Sequence, residues 1–348
     1  MAQYSYRLYG LRIKTDLDFP QLVVEDAETV TEPVPEIRIE EGEIPKEIIR
    51  ETRRKYDFGP DFSFLSNRTM WMVVEQGRFI RYRRKEGSNP FYLKTYLLGY
   101  GMAMIAMQRG QLAIHCSAVA DERGAVLIAG ESGAGKSTIT TMLLEQGYEL
   151  MADDMAVVEP RTDRTFVYPA FPYQKLCRNV AVEQGYDLTR LLYINEEKDK
   201  FLVPYRGAFS TEARPVKAFI MLGITKGEKV QTGEIMGIHR FPVYADNLFL
   251  RHLLQEEKYT PQIGSKCIAM ATTVPTFYIA RPAEGDSTTE VAHILHQILK
   301  CQIRGQLNQK AAAFSRLAGA TDASFQTLYD SFGDREPQTA SGSGSRSA

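Results

Sequence analysis

Gly130-Glu131-Ser132-Gly133-Ala134-Gly135-Lys136-Ser137 completes the pattern G-x-x-x-x-G-K-[ST], and its flanks give it a structural context. Before it, Ala125-Val126-Leu127-Ile128-Ala129 is an unbroken apolar run, which predicts a buried parallel strand. After it, Ile139, Met142 and Leu143 follow the i, i+3, i+4 spacing of a helix face. Strand, glycine turn and helix start together wrap a phosphate. Glycines let successive N–H groups point inward, and the helix N-terminus adds a favourable dipole. Lys136 supplies a positive charge for β- and γ-phosphates, and the Ser137 hydroxyl can ligate Mg²⁺. The stretch from Gly130 through Thr138 is therefore the candidate binding set for a nucleoside triphosphate.

Gly147 should end the helix, and Tyr148-Glu149-Leu150-Met151-Ala152 predicts a short strand closing on Asp153-Asp154. In an open parallel sheet ligands gather at the carboxyl ends of strands, which sets both aspartates beside the phosphates. One carboxylate can hold Mg²⁺, and the other can accept a proton from a hydroxyl attacking the γ-phosphate. The plainer reading of two adjacent carboxylates is a turn or helix cap, but apolar Met155-Ala156-Val157-Val158 on the far side argues against it. Upstream, Gln111 to Ala120 reads as one strand running into a turn at Asp121-Glu122-Arg123-Gly124. A hairpin there would set His115 beside the strand that feeds the loop.

The order His-x-Ser-Ala-Val, Gly-x-Ser-Gly-x-Gly-Lys-Ser and Gly-Tyr-x-Leu-x-Ala-Asp-Asp, across residues 110–158, resembles the catalytic domain of the HPr kinase/phosphorylase family. The resemblance implies an α/β fold (α+β overall), with a phosphate-loop kinase core related to phosphoenolpyruvate carboxykinase. It implies ATP and Mg²⁺, with Asp154 as the base that deprotonates a substrate serine and His115 assisting it. Lys136 would contact the transferred phosphate, and Ser137 and Asp153 would help hold magnesium. It also allows a ring-like homo-oligomer. The chain departs from the bifunctional enzymes in two places. Tyr168-Pro169-Ala170-Phe171-Pro172-Tyr173-Gln174-Lys175-Leu176 stands where they carry an Ile-Arg-Gly-Leu-Gly type segment, and no Arg-Pro-Gly-Arg-Asn-like phosphorolysis loop is found. The overall layout, with Tyr6-Arg7-Leu8-Tyr9-Gly10-Leu11 near the start, looks most like the kinases that phosphorylate the C-terminal serine of lasso-peptide precursors. HPr serine kinase, small-metabolite kinase and a nucleotide-driven switch without phosphotransfer are the competing readings. The switch is disfavoured because Thr225-Lys226-Gly227-Glu228 ends in the wrong acid for a guanine motif.

The 348 residues suffice for two domains. A net charge of −1 gives no global pull toward nucleic acid or an anionic membrane. Cys116, Cys177, Cys267 and Cys301 are widely spaced, as expected of reduced thiols in a cytoplasmic protein, and no segment reads as a signal peptide or membrane span. The alternation Tyr4, Tyr6, Leu8 opens a β-rich domain, residues 1–109, that closes with a buried helix from Asn89-Pro90 to about Gly110. The nucleotide-binding domain is expected over 110–304, with strands at Val216–Leu222 and Thr276–Ala280 and a helix around Asn247–Glu256. Ser287-Thr288-Thr289-Glu290 reads as a capping box opening another helix. A helical extension over 305–332 and a disordered tail over 333–348 complete the chain.

Two basic clusters, Arg53-Arg54-Lys55 and Arg78 to Lys85, read as solvated strand edges or as a docking surface for an acidic peptide. Among Lys175, Arg178, Lys198, Lys200 and Arg206, one could reach the transferring phosphate, but the sequence does not choose between them. The expected partner is a peptide or protein bearing a serine.

Overall fold

The computed structural model describes residues 4–25, 34–51, 56–131, 133–195, 199–251 and 261–307. Ser132, Arg53-Arg54-Lys55, Lys198, most of the helix expected to Glu256, and the extension and tail beyond Leu307 lie outside the described residues.

The amino-terminal part is a sheet of eight described strands. They are β1 (Tyr4–Leu8), β2 (Leu11–Thr15), β3 (Val23–Val24), β4 (Glu36–Glu41), β5 (Tyr56–Phe58), β6 (Phe62–Ser66), β7 (Met70–Glu75) and β8 (Phe79–Arg84), in the order β3-β1-β2-β4-β8-β7-β6-β5. Alternation decides which face is buried: Ile13, Ile37, Ile39, Ile80 and Tyr82 turn inward, while Arg38, Glu40 and Arg84 turn out. A short helix, α1 (Lys46–Glu51), lies between β4 and β5.

Asn89 caps the next helix by accepting from the N–H of Phe91, with Pro90 in the first turn. This is not one uninterrupted α-helix. It runs as α2 (Pro90–Tyr96), a π-turn (Leu97–Gly101) and α3 (Met102–Gln108). Leu93, Leu97, Met102, Met104 and Ile105 are buried in a single apolar core shared by both sheets. Burying each such side chain stabilises by about 1.5–3 kcal/mol, so this helix binds the two parts together.

The second sheet has nine described strands: β9 (Leu112–Ile114), β10 (Ser117–Asp121), β11 (Gly124–Gly130), β12 (Glu149–Ala152), β13 (Ala156–Pro160), β14 (Thr165–Tyr168), β18 (Arg214–Thr225), β19 (Gln231–Ile235) and β20 (Thr276–Pro282). It is mixed rather than all parallel. The apolar run 125–129 is indeed a buried strand, parallel to β18, which is parallel in turn to β20. β10 is antiparallel to β11, and β12 is antiparallel to β10. The carboxyl end of β12 thus lies at the same end of the sheet as that of β11, with β10 between them.

Helices cover both faces. On one side α4 (Lys136–Glu145) and α8 (Thr288–Leu307) pack through Ile139, Leu143, Val291, Leu295 and Ile298. On the other, α6 (Arg240–Asp246) and α7 (Pro261–Thr273) join the shared core through Tyr244, Ile263 and Met270. Asn247 ends α6 and residues 247–251 form turns, so no helix starts at Asn247; the rest of the expected helix, from residue 252, lies outside the described residues. The carboxylate of Asp286, rather than Ser287, caps α8 by accepting from the N–H of Thr288. A separate sheet, β15 (Tyr173–Cys177), β17 (Lys200–Pro204) and β16 (Leu192–Asn195), packs under α5 (Arg178–Glu183). No helix among the described residues is long and apolar enough to cross a membrane.

The basic cluster of β8 is largely compensated. Arg83 pairs with Glu43, Arg84 pairs with Glu41, and Arg81 lies 3.9 Å from both Glu40 and Glu75. That leaves little net charge there for an acidic peptide.

Gly130 ends β11 at a φ of 147°, and a Cβ there would meet the carbonyl oxygen of Leu222 at 2.4 Å. Gly133, also at positive φ, has nothing within 4 Å of that position. Gly130→Ala should lower the unfolding free energy by at least about 2 kcal/mol, and Gly133→Ala by only about 1 kcal/mol. Urea unfolding of the two variants checks this, and equal losses would show that the contact with Leu222 is immaterial.

Candidate functional site

The site forms where two strands leave one branch of the second sheet for the other. β9 pairs with β13, placing Ile114 opposite Ala156; β10 pairs with β12, placing Ala118 opposite Ala152. Between these pairs the backbone ladder is interrupted, and residues 115–117 face 153–155. The strand expected over 111–120 is therefore broken at His115 and Cys116, because two neighbouring chains bend apart together at this point.

Side chains replace the missing ladder bonds. The Ser117 hydroxyl donates to Asp153 Oδ1 at 2.7 Å, and His115 Nδ1 lies 2.9 Å from the carbonyl oxygen of Asp154. Asp154 adopts a φ of +72°, the left-handed region that Asp tolerates better than most residues. This turn carries its carboxylate off the strand direction. Its Oδ1 lies 3.9 Å from His115 Nδ1, and its Oδ2 accepts from Lys175 Nζ at 2.5 Å. Asp153 Oδ2 accepts from the backbone N–H of Lys175 at 2.7 Å. Both aspartates are thus gripped by one residue of β15.

The electrostatics follow from that packing. Burial alone would push the Asp154 carboxyl upward, since only 19% of its side chain is exposed. Lys175, His115 and Lys200 outweigh burial and hold it down to about 2, a carboxylate at any physiological pH. Burial lowers the His115 imidazole below its usual pKa even though 45% of the side chain stays exposed; Asp154 pulls it back up, while Lys136 and Lys175 push it down. Near pH 7 the ring is neutral, with Nδ1 directed at the Asp154 carbonyl. Cys116, fully buried behind it, has its thiol pKa raised by burial and is inert as a nucleophile.

The 130–137 loop lies at the same end of the sheet. Gly135 (φ 105°) precedes the first turn of α4, where Ser137 and Thr138 are exposed. Lys136 does not project freely: its ammonium folds back onto the carbonyls of Gly130 and Glu131. Arg281, at the end of β20, clamps the loop from the far side by donating to the Gly133 carbonyl at 2.7 Å. Beyond it opens a cleft of about 240 Å³ floored by Leu222, Ile279 and Val291 and rimmed by Asp286 and Thr288. The loop therefore lies between this mixed cleft over β18 and β20 and the charged cluster at β10 and β12.

Ser137 and Asp153 are hard oxygen donors of the kind Mg²⁺ takes alongside phosphate oxygens and water. Asp153 fits that role because each oxygen accepts one fixed hydrogen bond, which sets its orientation while leaving lone pairs. No group of three or more His, Cys, Asp or Glu able to hold a metal alone occurs among the described residues, and His293 instead contacts Gln297.

The sequence reading missed Ser117, Arg281 and Tyr9, whose buried hydroxyl donates to the Met155 carbonyl at 3.3 Å from the amino-terminal sheet. Lys175 was one of five basic candidates, and register separates them. Lys175 reaches Asp154, Arg178 is held by Asp199, and Arg206 lies over the ring of Tyr186.

No protein-family model matches the sequence, and no match to a curated protein was found. Among solved structures the chain is similar to the Hpr(Ser) kinase/phosphatase from Coxiella burnetii, at 13% identity over 56% of this chain and 99% of that one, with a TM-score of 0.27. A likeness of that size assigns neither function nor residues.

Replacing Lys175 with Met should remove the largest opposition to burial and raise the Asp154 pKa from about 2 toward the ordinary carboxylate range. Carbon-detected NMR titration of the labelled carboxyl would read the change. A carboxyl still titrating near 2 in Lys175→Met would show that Lys175 does not set its charge.

Proposed function

We propose that the chain is a Mg²⁺- and ATP-dependent kinase that phosphorylates a serine hydroxyl of a peptide, in its most specific form the C-terminal serine of a lasso-peptide precursor. The observation that carries this reading is the Asp154 carboxylate, turned out of its strand by a left-handed residue and kept ionised by Lys175 at the loop end of the sheet. A carboxylate in that setting has a chemical use where a proton must be accepted beside a transferring phosphate.

The phosphates would lie along the 130–137 loop at the start of α4, with the nucleoside in the cleft over Leu222 and Ile279. The γ-phosphate then faces the charged cluster. Lys136 would leave its loop carbonyls for the phosphate oxygens, exchanging neutral acceptors for anionic ones. Ser137 and Asp153 would hold Mg²⁺, which supplies charge neutralisation across the β- and γ-phosphates.

The acceptor hydroxyl oxygen bonds to the γ-phosphorus as the β–γ bridging P–O bond breaks, and ADP departs. The hydroxyl proton passes to Asp154. A carboxyl as acidic as this takes the proton late, once the new O–P bond has made the hydroxyl acidic, which suits a loose transition state. Lys175, already on Asp154, is positioned to share its charge with the moving phosphoryl group. Neutral His115 orients the Asp154 backbone.

Lys136→Ala should cost about 10²–10³ in turnover. Asp154→Asn should cost about 10²–10⁴ while Mg-ATP still binds. The direct test is mass spectrometry after incubation with Mg-ATP. A gain of one phosphate on a Ser-ended precursor, lost when that serine becomes Ala, is expected. Phosphate appearing on HPr and on no precursor peptide would move the assignment to an HPr kinase, and near-normal transfer by Asp154→Asn would remove it as the base.

A further inference from the structure

The helix joining the two sheets reaches into the charged cluster from above. Its π-turn, Leu97–Gly101, replaces the usual α spacing, a distortion that recurs at functional sites. Within it Tyr100 packs against Tyr96, ring centroids 5.6 Å apart, and edge-on against Phe249 at 6.0 Å. Phe249 in turn lies 6.1 Å from the imidazole of His115. Its position is fixed because its backbone N–H donates to the Ala113 carbonyl at 2.9 Å, and Asn247 accepts from the His115 N–H at 2.7 Å. Tyr100 and Phe249 are both only half-buried, so a row of rings that starts at His115 keeps part of its surface open. Tyr100 also senses the Asp154 charge, which adds to burial in raising its phenol pKa.

The same carboxylate also lies beside two lysines. Lys175 is engaged with Asp154. Lys200, on the neighbouring strand β17, pairs with Cys177 two residues along from Lys175, which sets it on the Lys175 face of the small sheet, and it makes no side-chain ion pair among the described residues. An apolar wall and a cation flanking one carboxylate suit a ligand with an apolar group, a hydroxyl and an anionic end in succession. A small anionic metabolite would leave the rings unused, and a peptide ending in a hydroxyl residue would engage all three.

We infer that Tyr100 and Phe249 form the specificity wall of the acceptor pocket, taking the apolar side chain that precedes the phosphorylated residue, while Lys200 takes the terminal carboxylate of the peptide. This rests on the peptide-kinase reading above. It adds what that reading lacks, the chemistry of the residue next to the hydroxyl.

The experiment uses the full chain with Mg-ATP and short synthetic peptides ending in Leu-Ser, Phe-Ser, Gly-Ser or Asp-Ser, each as free acid and as C-terminal amide. For the native protein, kcat/KM should favour Leu-Ser and Phe-Ser over Gly-Ser by about ten- to a hundredfold, the range for losing one apolar contact in a pocket. Tyr100→Ala should erase that preference by raising the acceptor KM, with the ATP KM unmoved, and Tyr100→Phe should keep it. Phe249→Leu serves as a second probe should Tyr100→Ala fold poorly. Lys200→Met should make acid and amide equivalent. Transfer without preference in the native protein, or preference surviving in both wall variants, overturns the inference and leaves the kinase reading intact. Bound Mg-ATP with no transfer to any peptide overturns the peptide reading itself, and the inference with it.

Discussion

Two strand pairs that switch branches of a sheet at the same point create the constraint on which this site depends. β9–β13 and β10–β12 keep one antiparallel register on either side of residues 115–117 and 153–155. Within that gap the ladder cannot continue, so buried backbone and carboxylate groups need other partners. Ser117, His115 and the N–H of Lys175 provide them. Two neighbouring acidic residues are thus kept on one side, where both meet Lys175, one gripped through both oxygens and the other held by the lysine ammonium. A regular strand would have sent consecutive side chains to opposite faces and lost one of them to the core.

The remaining architecture serves to hold this gap and charge it. The small β15-β17-β16 sheet brings lysines from adjacent strands against a carboxylate that burial alone would neutralise. Tyr9 reaches across from the amino-terminal sheet to the Met155 carbonyl, and the Tyr9 N–H donates to Pro169. The interdomain helix fills the common core with Leu, Met and Ala and carries its tyrosines to the site edge. The arginines of β8 are matched by glutamates on neighbouring elements.

Much of this was legible in the sequence. The apolar run 125–129 could only be buried, and the glycines and Lys136 after it could only form a turn into a helix, since each depends on local periodicity and backbone freedom. The same holds for the Asn89-Pro90 helix start and for the alternating strands of the first sheet. Local patterns misjudged the helix start placed at Asn247 and the unbroken strand through His115, because both were decided by which neighbour each segment meets.

The sequence by itself determined the elements, the loop and the acidic pair, because these are written in residues close together along the chain. Only the tertiary structure decided that Lys175 rather than Arg178 or Arg206 meets Asp154, that Ser117 holds Asp153, and that Arg281 clamps the loop. Partners 21, 36 and 148 residues apart in sequence are set by sheet order and register, which no local pattern encodes. The charge state of Asp154 belongs to the same class. It follows from a contest between burial and the charges of Lys175 and Lys200, which come from separate strands, and that contest exists only in the folded chain.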